Sequence, residues 1–511
     1  MRSKIIKNTY ILGTGTLISR ILGFVRDILI ASFFGTSGLL EAFLVSFRLP
    51  NIFRSVFAEG FSDSVATPVL SEYQEDHQQI FKLGNHLLSL FCVILLICTI
   101  LGIIFAKFLV MLIAPGFISQ VFKFNLAVSF TRITFIYLFL IGLSSVMVSV
   151  LYSLKKFFIP AINPIFLNIS FILGIVFFSQ SLKNYILIIC VIVAGILQLI
   201  FPYFSLRRQG FRFRFSFAEA LKNAAVLRMF KLFIPRAWSS IVYHLSVFID
   251  TIFSSLTVIV GSGALASVYY ANRLIQFPFA IIALSISRVA IVDLSSYHSQ
   301  GKSEDFKELF VFSFQNIIFF IIPLSVIFLF IPEAIINIIF TRGAFDSYSL
   351  AMTSSVLFFY SFGLFFFCGI KLLVNSFYSL KDTVLPAKTA TFSLIVNVIL
   401  SSILMFPLKI GGVALGSSLA AICNFFLLYY FFKKRIGPID WQDTRSQLLK
   451  VLSLSLVVGL LARFLWYYSP YNKYLNALVI IVAVAVVFFG GGYLVGLRQI
   501  RHLKVWISAK K

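Results

Sequence analysis

Long apolar runs recur along the whole chain, and they limit its possible folds more than any other feature. A membrane-spanning helix needs about 20 mostly apolar residues. Charged residues, proline and glycine divide the sequence into fourteen such runs, numbered span 1 to span 14. Their predicted bounds are 8–34, 39–70, 83–113, 125–152, 159–180, 185–206, 230–257, 263–295, 309–340, 348–379, 386–407, 411–432, 446–468 and 474–497. The predicted fold class is an all-α polytopic membrane protein with about 14 transmembrane helices.

The composition excludes the soluble alternatives. Hydrophobic residues make up 60% of the 511 positions and charged residues only 12%, whereas an ordinary soluble domain has about 25% charged residues. Too few charges remain to cover a surface in water, so a soluble enzyme, a secreted module and a disordered chain are all excluded.

The charge is strongly positive, with 43 Lys and Arg against 18 Asp and Glu, a net +25. On a soluble protein this balance would suggest a nucleic-acid partner. Here most basic residues lie between spans, where the positive-inside rule explains them, so we expect no nucleic-acid partner.

The loops after even-numbered spans hold the basic clusters, while the other loops hold scattered charges such as Lys123 and Arg342. This asymmetry predicts an even number of spans with both termini in the cytoplasm.

An internal repeat organises the chain. The segment YSLKKFFIPA at 152–161 recurs as YSLKDTVLPA at 378–387, and APGF at 114–117 has a weaker echo in RGAF at 342–345. The shift contains six spans, an even number, so both copies enter the membrane in the same direction, as in many transporters. The predicted domains are an N-lobe at 1–206, a basic linker at 207–229, a C-lobe at 230–435, and spans 13 and 14 with a basic tail at 436–511.

Charged residues inside the spans point to a function. Each costs about 2.5–3.5 kcal/mol at mid-bilayer on the insertion scale, so it should face water or a partner. Spans 1, 2, 7 and 8 contain Arg20, Arg26, Asp27, Glu41, Arg48, Arg54, Glu59, Asp63, Asp250, Arg273 and Arg288. The arginines predict a hydrated, cationic cavity between the lobes. Because the guanidinium fork matches phosphate oxygens, an anionic, phosphorylated, amphipathic substrate is expected. The alternative is structural: the acids neutralise the arginines and merely pin helices together.

Several segments resemble the bacterial lipid II flippase family, also called MurJ or MviN. They are SRILGFVRD (19–27), EAFLVSFRLPNIFRSVFAEG (41–60), APGF (114–117), IPAINPIFLNIS (159–170), YYANRLIQFP (269–278) and FYSLKDT (377–383). The resemblance is collinear from span 1 to span 12. It implies the fold of the multidrug/oligosaccharidyl-lipid/polysaccharide exporter superfamily. In that fold two parallel six-helix lobes form a V around a central cationic cavity, and two C-terminal helices form a groove for a lipid tail.

The resemblance also implies site residues. The expected substrate-binding residues are Ser19, Arg20, Arg26, Arg54 and Arg273, together with Asn51, which shares a helix face with Arg54. The expected gating or ion-pair residues are Asp27, Glu41 and Glu59, together with Arg48, which lies two turns from Glu41 on the same helix face. One segment, 285–296, departs from the family pattern and contains Arg288 and Asp293, which makes the second lobe more cationic.

A sodium ion is the one cofactor that the resemblance suggests. The matching positions are Asp250, Asn397, Ser401, the carbonyl of Val413, and Ser417. Oxygen ligands suit a hard cation, but Ser401 stands where a carboxylate is expected. A hydrogen-bonded polar cluster is the alternative, and Asp250 could instead pair with an arginine such as Arg236 or Arg273. No other cofactor is expected.

The implied function is transport without catalysis, since the sequence contains no enzyme signature. The expected substrate is lipid II, the undecaprenyl-pyrophosphate-linked peptidoglycan precursor, moved to the outer leaflet of the bacterial inner membrane by alternating access and the membrane potential. This would be a role in cell wall biogenesis and cell shape, with membrane lipids and other cell-wall synthesis proteins as partners. The alternatives are export of another polyprenyl-pyrophosphate-linked saccharide or of drugs, and a membrane-bound transferase or scaffold.

Overall fold

The structure, a computed structural model, describes residues 2–469 and 472–500. The side chains of residues 2–9, 57–59, 63, 180, 183 and 235–244 lie outside what it describes. All regular secondary structure in the described part is helical.

Each of the fourteen predicted spans corresponds to one long helical segment of the described chain. In order, these segments are Arg2–Phe34, 38–71, His77–Ile104, Val121–Ser153, Phe158–Leu182, Ile186–Arg207, Ala224–Ser255, Ala264–Ser299, Ser303–Phe330, Ser347–Ser379, Val384–Leu408, Ile410–Ile436, Gln442–Tyr468 and Lys473–Leu494. By length and composition, 11 of the described helices could cross a membrane. Spans 1, 2 and 7 are the exceptions; spans 1 and 2 carry a high density of charge, and part of span 7 has undescribed side chains. The chain is a multi-pass helical membrane protein.

The internal repeat is visible as matching distortions in the two halves. Span 2 contains the π-helix Ser55–Ala66, and span 8, six spans later, contains the π-helix Phe279–Ala283. The predicted ends of spans 3 and 9, at 113 and 340, are wrong. Span 3 stops before Phe105 and a short helix follows, and span 9 stops in the same way before Ile331. Proline at 332 contributes to the second break, because it has no N–H to donate to the preceding helix.

The ends of spans 4 and 10 repeat even at the level of single residues. Lys155 and Lys381, 226 positions apart, both have left-handed backbone conformations, with φ of 57° and 60°. In each turn the next residue donates its N–H back five positions, from Lys156 to the Leu151 carbonyl at 2.9 Å and from Asp382 to the Phe377 carbonyl at 3.0 Å. These are Schellman helix ends, in which glycine is the usual left-handed residue.

The chain forms two compact units. Unit 1 consists of Met1–Thr257 with Arg342–Phe345, and unit 2 of Val258–Thr341 with Asp346–Lys511. Aromatic side chains such as Phe61, Phe91 and Tyr137 are fully buried in unit 1, and Phe310, Phe319 and Phe340 in unit 2. Spans 11, 13 and 14 leave many apolar side chains exposed, as expected for helices that face lipid. The lobe boundaries given by the sequence remain a prediction.

Candidate substrate-binding residues in the two units

Arg26 is held by three neighbouring side chains in unit 1. Its Nε and Nη2 atoms both donate to Oδ1 of Asp27, at 3.0 and 2.8 Å, and its Nη1 donates to Oδ1 of Asn168 at 3.0 Å. The guanidinium carbon lies 5.6 Å from the ring centroid of Phe171. Asp27 is only 3% exposed. A carboxylate, an amide and an aromatic ring therefore fix the guanidinium plane in one orientation, as an arginine that recognises a ligand requires.

Asn168 connects this arginine to span 1 a second time. Its Nδ2 donates to the Ser19 carbonyl at 2.8 Å and reaches Oγ of Ser19 at 3.3 Å. The structure thus brings Ser19, Arg26 and Asp27 together, with an organising residue from span 5 that was missed as a site residue. The signal was available, since Asn168 lies within the family-like segment at 159–170.

Two arginines of span 2 are also oriented by hydrogen bonds. Nε of Arg54 donates to Oδ1 of Asn51 at 3.0 Å, one turn earlier on the same helix. Nε of Arg48 donates to Oγ1 of Thr251 in span 7 at 3.1 Å. Both arginines are partly buried. Arg54 sits directly before the π-helix, a distortion that is common at functional sites.

The remaining predicted residues of unit 1 are Glu41, Arg20 and Glu59. Glu41 is completely buried and forms an ion pair with Lys123, although Lys123 was counted among the scattered loop charges. Arg20 is exposed. The side chain of Glu59 lies outside the described residues.

Arg273 is the predicted binding residue of unit 2. Its Nη2 donates to the hydroxyl of Tyr269 at 3.3 Å, and its guanidinium carbon lies 4.8 Å from the Tyr269 ring centroid. The two residues are one helical turn apart in span 8, so the ring supports the guanidinium through a cation–π contact. Tyr269 was not predicted, though it belongs to the family-like segment at 269–278.

Four of the five candidate sodium ligands lie together in unit 2. Oγ of Ser401 donates to Oδ1 of Asn397 at 2.8 Å and lies 3.4 Å from the Val413 carbonyl oxygen, and Oγ of Ser417 donates to the same Asn397 oxygen at 3.3 Å. Asp250 belongs to unit 1. The four groups offer only oxygen, as a hard cation prefers. They are neutral and already hydrogen-bond one another.

The chain has a six-span repeat, and arginines inside the spans are held in fixed orientations. These two features are typical of a membrane transporter for anions. The sequence matches the family described as "Lipid II flippase MurJ" over residues 30–485. The chain belongs to this family.

Individual relatives agree with this assignment. The chain is 37% identical over 417 residues to a probable lipid II flippase of Buchnera aphidicola from Acyrthosiphon pisum, covering 81% of each chain. It is 30% identical to the lipid II flippase of Burkholderia cenocepacia, covering 82% of each. A solved lipid II flippase in an inward closed conformation superposes with a TM-score of 0.79 at 25% identity, covering 96% of this chain and 99% of the other. An inward-facing multidrug transporter of the MATE family shares the fold, with a TM-score of 0.67 at 14% identity and coverage of 82% and 94%.

Proposed function

We propose that this protein is a lipid II flippase of the bacterial cytoplasmic membrane. It moves the undecaprenyl-pyrophosphate-linked peptidoglycan precursor from the cytoplasmic to the outer leaflet. Membership of the family supports this substrate. The basic clusters after even-numbered spans support an orientation with both termini in the cytoplasm.

The observation that carries the proposal is the hydrogen-bonded environment of Arg26. A purely structural arginine would need only its carboxylate partner, yet Arg26 is also held by Asn168 of another span and packed on Phe171. Such support keeps a guanidinium in place when its ligand departs, and a carrier has to release its cargo. The fork of donors suits the oxygens of a pyrophosphate.

The membrane potential supplies the driving force in this proposal. With the cytoplasm negative, each negative charge that moves outward gains about 2.3 kcal/mol per 100 mV. A pyrophosphate with about two charges would gain roughly 4–5 kcal/mol by the same relation. Alternating access then suffices to move the substrate, and the proposal requires no covalent step.

The charge of the arginines separates this function from drug export within the same superfamily. An exporter of cationic drugs needs acidic groups to attract them, whereas Arg26, Arg48, Arg54 and Arg273 are cationic. Export of another polyprenyl-pyrophosphate-linked saccharide would use the same charges. Only a comparison of lipids with different saccharide head groups can therefore separate these two substrates.

The test is reconstitution of the purified protein in vesicles that contain lipid II. An imposed potential, negative on the side where lipid II starts, should accelerate its appearance on the other side, and collapsing the potential should slow it. Vesicles with a polyprenyl-pyrophosphate-linked saccharide that lacks the peptide serve as the comparison. Lipid II movement equal to that in protein-free vesicles would refute the proposal, and equal movement of both lipids would favour the broader exporter.

We further propose that a sodium ion binds Asn397, Ser401, Ser417 and the Val413 carbonyl. The support is the convergence of four oxygen groups in unit 2. Sodium moving inward down the potential would help to reset the carrier.

A further inference from the structure

Two basic side chains of unit 2, outside the site described above, lie beside one contact between spans 8 and 10. Nδ2 of Asn375 in span 10 donates to the Ser287 carbonyl in span 8 at 3.1 Å. Arg288 directly follows Ser287. Lys371 precedes Asn375 by four residues, which places it one turn away on the same face of span 10. Both basic residues therefore lie within one helical turn of this contact, and two like charges placed so near each other repel.

Both residues lie well inside the length of their helices. Arg288 is eleven residues from the end of its helix at Ser299, and Lys371 is eight residues from the end of span 10 at Ser379. At 1.5 Å per residue these offsets are about 16 and 12 Å. Spans 8 and 10 run in the same direction through the membrane, since both have even numbers. The two cations therefore lie at similar distances from the ends of parallel helices; Arg288 is exposed and Lys371 is partly buried.

No acid offsets these charges within the described residues. Neither Arg288 nor Lys371 forms a salt bridge or hydrogen bond with the described part of the chain. Asp293 is five residues beyond Arg288, which places it about 140° away around the helix. The hydroxyl of Ser287 is buried and lacks a hydrogen-bond partner among the described groups. The groups around Arg288 and Lys371 therefore supply hydrogen-bond donors and positive charge, and the described residues supply no anion to match them.

We propose that Arg288 and Lys371 bind a phosphate-bearing lipid head group. This deepens the proposed function, on which it rests, by adding a second phosphate site to the one at Arg273. The two sites are separate, because Arg273 and Arg288 are fifteen residues apart, about 22 Å along the helix, with the π-helix Phe279–Ala283 between them. The phosphate belongs either to the transported lipid or to an anionic phospholipid of the surrounding membrane.

The first test uses thermal stability, because a ligand site and a structural charge pair respond in opposite ways. Without ligand, Arg288→Gln and Lys371→Gln each remove a repulsion and should melt at or above the wild-type temperature. Inorganic pyrophosphate should raise the melting temperature of the wild-type protein. Each variant should require at least fivefold more pyrophosphate for the same rise.

Arg132→Gln is the matched control. Arg132 is an exposed arginine eleven residues from the start of span 4, and its substitution should leave the pyrophosphate response unchanged. The proposal is overturned if the wild type does not respond to pyrophosphate. It is also overturned if both variants respond like the wild type, or if both melt lower without ligand.

The second test identifies the source of the phosphate. Native mass spectrometry of the detergent-solubilised protein would measure binding of undecaprenyl pyrophosphate and, separately, of phosphatidylglycerol. Loss of undecaprenyl pyrophosphate from the Arg288→Gln/Lys371→Gln double variant assigns the site to the transported lipid. Loss of phosphatidylglycerol alone assigns it to membrane lipid, and unchanged binding of both overturns the proposal.

The two proposals fail in distinguishable ways. If the wild type moves lipid II in vesicles while the double variant binds both lipids normally, only the second phosphate site is wrong. If the double variant loses pyrophosphate binding but the wild type does not move lipid II, the site stands and the transported substrate is wrong.

Discussion

Glu41 and Lys123 form a buried ion pair within unit 1, although 82 positions separate them in the sequence. Their side chains are only 1% and 7% exposed. The Lys123 ammonium also lies 3.9 Å from the ring centroid of Phe117, in the turn before span 4. One carboxylate and one ammonium thus join the start of span 2, the start of span 4 and that turn.

Removing one partner of this pair should be costly. Glu41→Gln leaves the Lys123 ammonium buried without its carboxylate, and such a change costs about 3–5 kcal/mol. Unfolding of the purified protein in detergent measures the loss. Glu304→Gln, which removes the exposed carboxylate that pairs with Lys307, should cost at most about 1 kcal/mol. Equal losses of unfolding free energy in the two variants would show that the buried pair contributes no more stability than the exposed carboxylate.

Arg26 should not tolerate lysine. The guanidinium makes three hydrogen bonds to Asp27 and Asn168, and a single ammonium cannot reproduce this fork. Arg26→Lys should slow lipid II movement at least tenfold at an unchanged protein level in the membrane. The control is Arg228→Lys, in an exposed pair with Glu72, which should move lipid II at the wild-type rate. Full activity of Arg26→Lys would mean that charge alone suffices.

Glycine should stabilise the two Schellman ends. Lys155 and Lys381 adopt positive φ, which costs a residue with a side chain roughly 1 kcal/mol relative to glycine. Lys155→Gly and Lys381→Gly should therefore each raise the melting temperature. Lys156→Gly loses the same charge at a position without positive φ and should give no increase. The ends of spans 6 and 8 already have glycine in this role, at Gly210 and Gly301.

Acid should weaken the start of span 10. Asp346 accepts a hydrogen bond from the Ser349 backbone N–H at 2.8 Å, and the backbone and side-chain hydrogen bonds from Ser349 lower the pKa of Asp346 below its ordinary value near 3.8. Because the folded pKa lies below the unfolded one, the cap stabilises fully above about pH 4. It loses this effect as pH falls through the folded pKa.

The variant Asp346→Asn separates this titration from that of other acids, since asparagine caps a helix without ionising. The difference in melting temperature between wild type and variant should be constant above pH 5 and shrink in more acidic buffer. A difference that does not change with pH would exclude this role for the ionised cap.

Sodium should stabilise the wild type if the oxygen cluster of unit 2 binds it. At a concentration ten times Kd the gain is about 1.4 kcal/mol, read as a higher melting temperature in sodium than in potassium. Ser401→Ala should abolish the difference. Ser402→Ala, which removes the neighbouring hydroxyl bonded to the Val398 carbonyl, should keep it. Identical melting of the wild type in both salts would eliminate the site.

Local properties of the sequence were sufficient for the fold class. A run of about 20 apolar residues satisfies its backbone in lipid as a helix, so each predicted span corresponds to one long helical segment of the described chain. The internal repeat could also be recognised from the sequence, because similar segments such as 152–161 and 378–387 fold into similar turns. Hydropathy could not show the breaks at Phe105 and Ile331, since both lie within apolar sequence.

The partners of the charged residues were decided by tertiary structure alone. The sequence determined which spans contain Arg26, Glu41 and Arg273, because a charged residue inside an apolar run can be recognised from the sequence alone. It could not show that Lys123 reaches Glu41 or that Asn168 holds Arg26, since these contacts join residues 82 and 142 positions apart. Which side chains meet depends on how helices rotate and pack against each other, and that is a property of the folded chain rather than of any one span.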